Sequence, residues 1–160
     1  MTGFVKQTRI VSRNGNEMDI KQEITLINFI ESNLGRAFAW GECDCNIFVL
    51  EAMDAVFGTA LAAKIRGRYI TERGAIRFRR QSPWGSLITL LQEAGFVEGQ
   101  KGFEHTGDLL IVEDPGKWEM AHIYLGRMAA AAFPGEGVQQ FPLVLMKDKP
   151  YSVWRYPCLQ

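Results

Sequence analysis

The sequence predicts an α+β fold in one domain, and three observations indicate it. Apolar residues recur at helical spacing as far as Gly95, and beyond Gly95 they form short runs with strand-like alternation. The chain has 160 residues, the size of one ordinary domain, and no internal repeat or low-complexity linker divides it. Because the helices precede the strands instead of alternating with them, the order favours α+β.

The helical half begins at Asp19, where isoleucines recur at helical spacing until Gly35, a suitable C-terminal cap. The second helix is predicted to begin at Asp44, whose short carboxylate suits an N-cap, and to stop at Gly58. Three further helices are predicted at residues 59–66, 72–80 and 86–94.

The second half contains short runs rich in apolar and β-branched residues, separated by Pro-Gly pairs. Strands are predicted at residues 108–113, 119–126, 127–133, 139–146 and 152–156. Residues 1–17 are polar with a turn signal, so we divide the chain into an N-terminal arm, 1–17, and a single domain, 18–160. The arm is interpreted as a docking element for a neighbouring protein, with disorder as the alternative.

The composition argues against a nucleic-acid partner, because Lys+Arg and Asp+Glu are equal at 18 each. One basic cluster is present and is interpreted as a solvated helix face, with contact to phosphate or an acidic polymer as the alternative. Its members are Arg73, Arg77, Arg79 and Arg80. No apolar run reaches the ~20 residues of a membrane span, and the N-terminus lacks the apolar stretch of a secretory signal. We therefore expect no membrane span and synthesis in the cytoplasm, with export on a particle left open.

The three cysteines are too few and too clustered for a disulfide framework. Cys45 directly follows the predicted N-cap, where free backbone N–H groups favour a thiolate. His122, in a predicted strand, is the better imidazole partner, since His105 precedes a turn. A small buried hydrophobe is the plainer interpretation of Cys45. A zinc set of both histidines with Cys43 and Cys45 is disfavoured by the Cys-x-Cys spacing, so we predict no metal and no cofactor.

Three motifs carry a family resemblance. Residues 38–45 (FAWGECDC) resemble the aromatic–Trp-Gly…Asp-Cys motif that opens the catalytic helix of NlpC-like cell-wall cysteine peptidases. Residues 106–110 (TGDLL) resemble their Gly-Asp-Leu strand, and residues 121–126 (AHIYLG) resemble their histidine strand, in the same order. With residues 66–69 (RGRY) and the terminal Trp-Arg, the chain resembles a phage-borne branch over about residues 25–157.

The resemblance implies a reduced papain-like (NlpC-like) fold, in which N-terminal helices include a cysteine-bearing helix packed on a C-terminal antiparallel sheet. It implies hydrolysis of amide bonds in peptidoglycan stem peptides, with Cys45 as nucleophile and His122 as base. It also implies phage tail-tip proteins as partners and incorporation in the virion tail.

The chain departs from the family pattern at two accessory positions. Phe38 stands where a Tyr hydroxyl often faces the oxyanion site, in an oxyanion and substrate loop to which we also assign Trp40 and Asp44. The strand after His122 is mostly alanine and offers no polar residue to orient the imidazole, so Gln139, Gln140 or a backbone carbonyl is expected to do so.

These departures keep two other hypotheses open. One is a weakened or inactive NlpC-like module that serves as a structural component of a phage tail tip. The other is acyl transfer or amide hydrolysis on a substrate outside the cell wall.

Overall fold

The computed structural model describes residues 17–114 and 117–158, so the predicted arm lies outside the described residues except for Glu17. Within these residues, four α-helices come first and six strands follow. The helices are α1 (Ile20–Asn33), α2 (Cys45–Phe57), α3 (Glu72–Gln81) and α4 (Leu87–Glu93). The strands are β1 (Val97–Gly99), β2 (Leu109–Val112), β3 (Met120–Tyr124), β4 (Met128–Phe133), β5 (Gly137–Pro142) and β6 (Tyr151–Arg155). Short 3₁₀ helices cover Ala62–Lys64 and Leu143–Met146.

The six strands form one sheet in the order β1-β6-β2-β3-β4-β5, and every neighbouring pair is antiparallel. Helices before an antiparallel sheet are the α+β arrangement that the element order predicts, so the fold class is confirmed. The central pair, β2 and β3, places Leu110 opposite His122 and Ile111 opposite Ala121.

Side-chain caps fix where the helices begin. Asp19 forms a capping box with Gln22 at α1, and Thr71 and Ser86 cap α3 and α4. Helix α2 ends at Gly58, whose φ of 69° is the left-handed conformation that glycine adopts at no steric cost.

Helix α2 is the centre of the fold, packed between α1 and strands β3 and β4. Its first six residues are all buried. The main core joins α2 to the sheet face that carries Leu109, Ile111, Ala121 and Ile123. The opposite face carries a smaller cluster that includes Leu110 and Val112 and is covered by the 3₁₀ helix Leu143–Met146.

Three element predictions are corrected. Strand β1 was missed, because it has only three residues and its first two are exposed, which leaves no apolar alternation to detect. The strand predicted at 139–146 instead covers Gly137–Pro142, since proline lacks the N–H that would continue the ladder. The helix predicted at 59–66 is a single 3₁₀ turn.

Within the described parts of the chain, none of the helices combines the length and the apolar character needed to cross a membrane.

Candidate active site

Asp44 caps α2 and joins three segments around Cys45. One carboxylate oxygen accepts hydrogen bonds from the backbone N–H groups of Asn46 and Ile47, at 3.1 and 3.0 Å. The other oxygen accepts from the Gly41 N–H at 3.1 Å and from the Tyr69 hydroxyl at 2.7 Å. The side chain is fully buried, so four donors replace the water that it loses. Its place in the predicted loop is therefore structural: it fixes the N-terminus of α2 against two loops.

The loop that carries Tyr69 packs directly on the aromatic loop. The Gly67 N–H donates to the Gly41 carbonyl at 2.8 Å. Gly41 has a φ of 81°, and a Cβ there would overlap the Tyr69 carbonyl oxygen, so only glycine fits. Nothing near Tyr69 in the sequence indicates its hydrogen bond to Asp44, which joins residues 25 positions apart.

Cys45 is the first residue of α2, and its side chain is 6% exposed. The side chain packs in a cluster with Tyr69 and Trp118, and Trp40 and Met120 border it. The sulfur donates weakly to the Glu119 carbonyl at 3.7 Å and to the Asn46 side-chain oxygen at 3.6 Å.

The expectation that the N-terminus of α2 favours the thiolate of Cys45, and so lowers its pKa, is wrong. Burial, and then the negative charge of Asp44, raise the pKa of the thiol to about 12. The Ala121 backbone, the Trp118 indole and the Asn46 backbone act in the opposite direction and lower the pKa, but they do not outweigh burial. At neutral pH the group is therefore a protonated thiol.

His122 lies in β3 with only 3% of its surface exposed. Its Nδ1 is 3.1 Å from the Leu110 carbonyl oxygen, and its ring lies 6.2 Å from that of Phe133 and 5.9 Å from that of Phe141. Burial lowers the pKa of His122 to about 4, so the ring is neutral at pH 7. A carbonyl partner assigns the proton to Nδ1, which leaves the Nε2 lone pair to accept a proton.

Cys45 and His122 line one cleft with a volume of about 140 Å³. Its floor and walls are mainly apolar and aromatic, and its rim carries Glu72, Asp114 and Lys117. The remaining lining residues are Phe38, Trp40, Trp118, Met120, Ala131, Ala132, Phe133 and Pro134. Among the described hydrogen bonds, none joins the Cys45 sulfur to the His122 ring. The structure therefore brings the two residues to one cleft, and their pairing in catalysis stays a prediction.

The imidazole is held by a backbone carbonyl, the third alternative raised from the sequence. Gln139 is exposed, and its amide donates to the Glu136 carbonyl at 3.3 Å. Gln140 is also exposed. Neither side chain is a described partner of His122, whose Nδ1 contacts the Leu110 carbonyl oxygen instead.

Comparison with known proteins places the chain in a family. The model of the family described as "Domain of unknown function (DUF6950)" matches residues 19–155. The chain belongs to this family. Among curated proteins, none matches the chain significantly.

A solved structure is similar in fold. The NlpC/p60 domain of the peptidoglycan hydrolase SagA superposes with a TM-score of 0.55 at 20% sequence identity. The match covers 82% of this chain and 97% of that domain. The two proteins share the NlpC-like fold.

Glu119 is a buried residue of the site that sequence reasoning missed. Its carboxylate accepts from Arg79 Nη1 and from the Leu87 N–H, each at 3.0 Å, and its carbonyl meets the Cys45 sulfur. It therefore ties α3 and the N-terminus of α4 to the start of β3. Arg79, assigned to a solvated face, is instead the partner of this buried carboxylate, with its side chain 18% exposed.

The cysteines and histidines weighed as a zinc set are not assembled. Cys43 belongs to the main core and Cys45 to the cluster at the cleft. In residues 17–114 and 117–158, no three His, Cys, Asp or Glu side chains are grouped to hold a metal ion.

Proposed function

We propose that this protein is an NlpC-like cysteine hydrolase that cleaves amide bonds of peptidoglycan stem peptides, with Cys45 as nucleophile and His122 as base. The observation that carries the proposal is the shared cleft, which joins a thiol at the N-terminus of α2 to a neutral imidazole. The fold is that of a domain from a peptidoglycan hydrolase, which supports the choice of substrate class.

The protonation states indicate general-base catalysis from a neutral pair. When a substrate carbonyl enters the cleft, His122 Nε2 accepts the thiol proton as the Cys45 sulfur attacks the carbonyl carbon. The free backbone N–H of Cys45 at the helix terminus stabilises the oxyanion. The imidazolium then gives its proton to the leaving amine, and the C–N bond breaks to leave a thioester.

Water completes the cycle. His122 Nε2 takes a proton from a water molecule, which attacks the thioester, and the same proton returns to the Cys45 sulfur as the acid product leaves. During both steps the Leu110 carbonyl accepts from Nδ1–H, keeping the ring in one orientation and stabilising its positive charge.

The walls of the cleft suit a peptide that carries charges of both signs. Phe38 and Trp40 pack edge to face at 4.9 Å and give an apolar surface for the peptide backbone. Glu72 on the rim is an exposed carboxylate for an amino group. Asp114 and Lys117 form an exposed ion pair at 3.4 Å, whose members can exchange each other for a charged group of the peptide. Stem peptides present both kinds of group.

We also propose that the protein acts within a phage virion tail, beside other tail-tip proteins. The support is the resemblance of residues 66–69 and of Trp154-Arg155 to a phage-borne branch. Mass spectrometry of purified virions tests this placement, which predicts the chain among the tail proteins and is contradicted by its absence there.

A second candidate function is a non-catalytic module of the same tail tip. The observation that favours it is the buried thiol, whose pKa is raised to about 12 and whose described partners are oxygens of Glu119 and Asn46. Such a sulfur behaves as a small core residue.

The deciding experiment incubates purified peptidoglycan with the wild-type chain, Cys45→Ala and Cys43→Ala, and measures released stem-peptide fragments by mass spectrometry. Cys43 is the matched control, because it is a buried cysteine two residues away that does not line the cleft. Release by the wild type and by Cys43→Ala alone supports the hydrolase. Equal release by Cys45→Ala excludes the mechanism, and no release by any chain favours the second candidate. Turnover of small acyl esters alone points to a substrate outside the cell wall.

A further inference from the structure

The indole N–H of Trp118 is a buried donor without a described partner. Trp118 directly precedes Glu119 and β3, and the side chain is 7% exposed. Its Nε1 has no hydrogen-bond partner within the described residues. An indole nitrogen can only donate, and buried donors are rarely left unpaired. The Trp118 N–H is therefore available to an acceptor that forms or enters during the reaction.

A candidate acceptor in the same buried cluster is the Cys45 sulfur. Trp118 belongs to the same buried cluster as Cys45, and its ring is held edge-on by Tyr69 at 5.4 Å and by Trp40 at 6.1 Å. The thiol proton of Cys45 is directed at oxygens of Glu119 and Asn46, so the sulfur lone pairs are free to accept. Donation from Trp118 lowers the pKa of Cys45 against the effect of burial.

Several neighbouring groups are not available as donors to the sulfur. Phe38 has no hydroxyl, and the Tyr69 hydroxyl donates to Asp44. The N–H groups of Asn46 and Ile47 also donate to Asp44.

The carboxylates of Asp44 and Glu119 lie beside this cluster and those of Glu72 and Asp114 lie on the rim of the cleft, and none of them stabilises an anionic sulfur. Asp44 raises the pKa of the thiol, and the Glu119 carboxylate is paired with Arg79. Trp118 thus provides a side-chain donor beside the sulfur that no described acceptor uses.

We propose that the Trp118 indole N–H donates the hydrogen bond that stabilises negative charge on the Cys45 sulfur when the thiol loses its proton. In the proposed hydrolysis, the proton moves to His122 Nε2, and Trp118 holds the charged sulfur until the bond to the carbonyl carbon forms. Only this kinetic consequence rests on the proposed function, because the Cys45 thiol can lose its proton and accept from Trp118 whether or not a substrate is cleaved.

The first test measures alkylation of Cys45 by iodoacetamide between pH 7 and 9. In a chain with Cys43→Ala and Cys158→Ala, Cys45 is the only cysteine left of the three. Trp118→Phe keeps an aromatic ring and removes the donor. Loss of a hydrogen bond to a charged group raises a pKa by about one to two units. Because nucleophilicity rises partly in compensation, the alkylation rate is expected to fall roughly 3- to 15-fold.

Trp84→Phe is the matched control, because it also removes one indole N–H from a half-buried aromatic contact but does not line the cleft. It is expected to leave the alkylation rate unchanged. A rate in Trp118→Phe that equals or exceeds that of the control, with near-ultraviolet circular dichroism unchanged, overturns the proposal.

The second test uses the indole resonances of the four tryptophans in ¹H–¹⁵N spectra of the wild-type chain. The Trp118 signal, assigned by its loss in Trp118→Phe, is expected to shift in Cys45→Ala and to stay in place in Cys43→Ala. A signal unmoved by Cys45→Ala overturns the proposal. If the Trp118 signal shifts but the wild-type chain does not cleave peptidoglycan, the hydrolase function is wrong and the role of Trp118 is retained. If the chain cleaves peptidoglycan and Trp118→Phe does not slow it, the hydrolase function is retained and the role of Trp118 is wrong.

Discussion

Tyr69→Phe removes one atom from the buried junction that fixes the start of α2. The hydroxyl donates at 2.7 Å to the Asp44 carboxylate, which is fully buried and has three backbone donors besides. A hydrogen bond to a charged group contributes about 1.5–3 kcal/mol to stability, and here no water replaces the lost donor. We therefore expect the variant to lose about 2 kcal/mol in the free energy of unfolding.

Urea denaturation followed by circular dichroism measures this loss, and a thermal scan gives a second reading. For a domain of this size, 2 kcal/mol corresponds to a decrease in Tm of about 4–8 °C. Tyr156→Phe is the matched control, because Tyr156 stacks on Phe57 at 4.4 Å while its hydroxyl has no described hydrogen bond. The control is expected to change stability by less than about 0.5 kcal/mol.

Two results would refute the reasoning. One is a Tyr69→Phe chain as stable as the wild type, which would mean that Asp44 is satisfied without the hydroxyl. The other is an equal loss in Tyr156→Phe, which would mean that the effect belongs to any tyrosine hydroxyl and not to the carboxylate.

Three further perturbations follow from the site. The pKa of His122 falls from 6.5 to about 4 on folding. Between these pH values the unfolded chain binds a proton that the folded chain does not, so the free energy of unfolding decreases as the pH falls through this window, by about 3 kcal/mol in total. The pH dependence of unfolding should be flatter over that window in His122→Gln, and parallel profiles would contradict this. Arg79→Met leaves the Glu119 carboxylate buried without its cation and should lower the free energy of unfolding by about 3–5 kcal/mol, as measured by urea denaturation. The control Arg73→Met, at an exposed arginine, should lower it by less than about 0.5 kcal/mol, and similar losses in the two variants would refute the ion-pair argument. Gly41→Ala should expose Tyr69 to limited proteolysis at the neighbouring loop, because a Cβ overlaps its carbonyl oxygen, and an unchanged digestion pattern would contradict the close packing.

Local chemistry made part of this fold predictable. Asp44 was assigned as the N-cap of α2 and Gly58 as its end, since a cap depends only on residues a few positions away. The strand-like runs of the second half placed β2, β3 and β4 within one or two residues. The α+β class followed from the order of these elements.

The contacts that define the site depend on long-range packing and left no local signal. Tyr69 reaches Asp44 across 25 positions, and Glu119 meets Arg79 across 40. The pKa of Cys45 was expected to fall because the sequence shows a helix N-terminus, but it does not show how deeply that terminus is buried. Desolvation is a property of the assembled fold, and here it outweighs the helix.

The alanines of strand β4 provide no polar group beside the histidine. In the folded protein, Ala131 and Ala132 line the cleft, so their methyl groups set how much room is left inside it. Larger residues at these two positions would subtract directly from its 140 Å³. The size of ligand that the cleft admits is thus set on β4, whereas Cys45 lies on α2 and His122 on β3, so substitutions on β4 can change that size while leaving both residues in place.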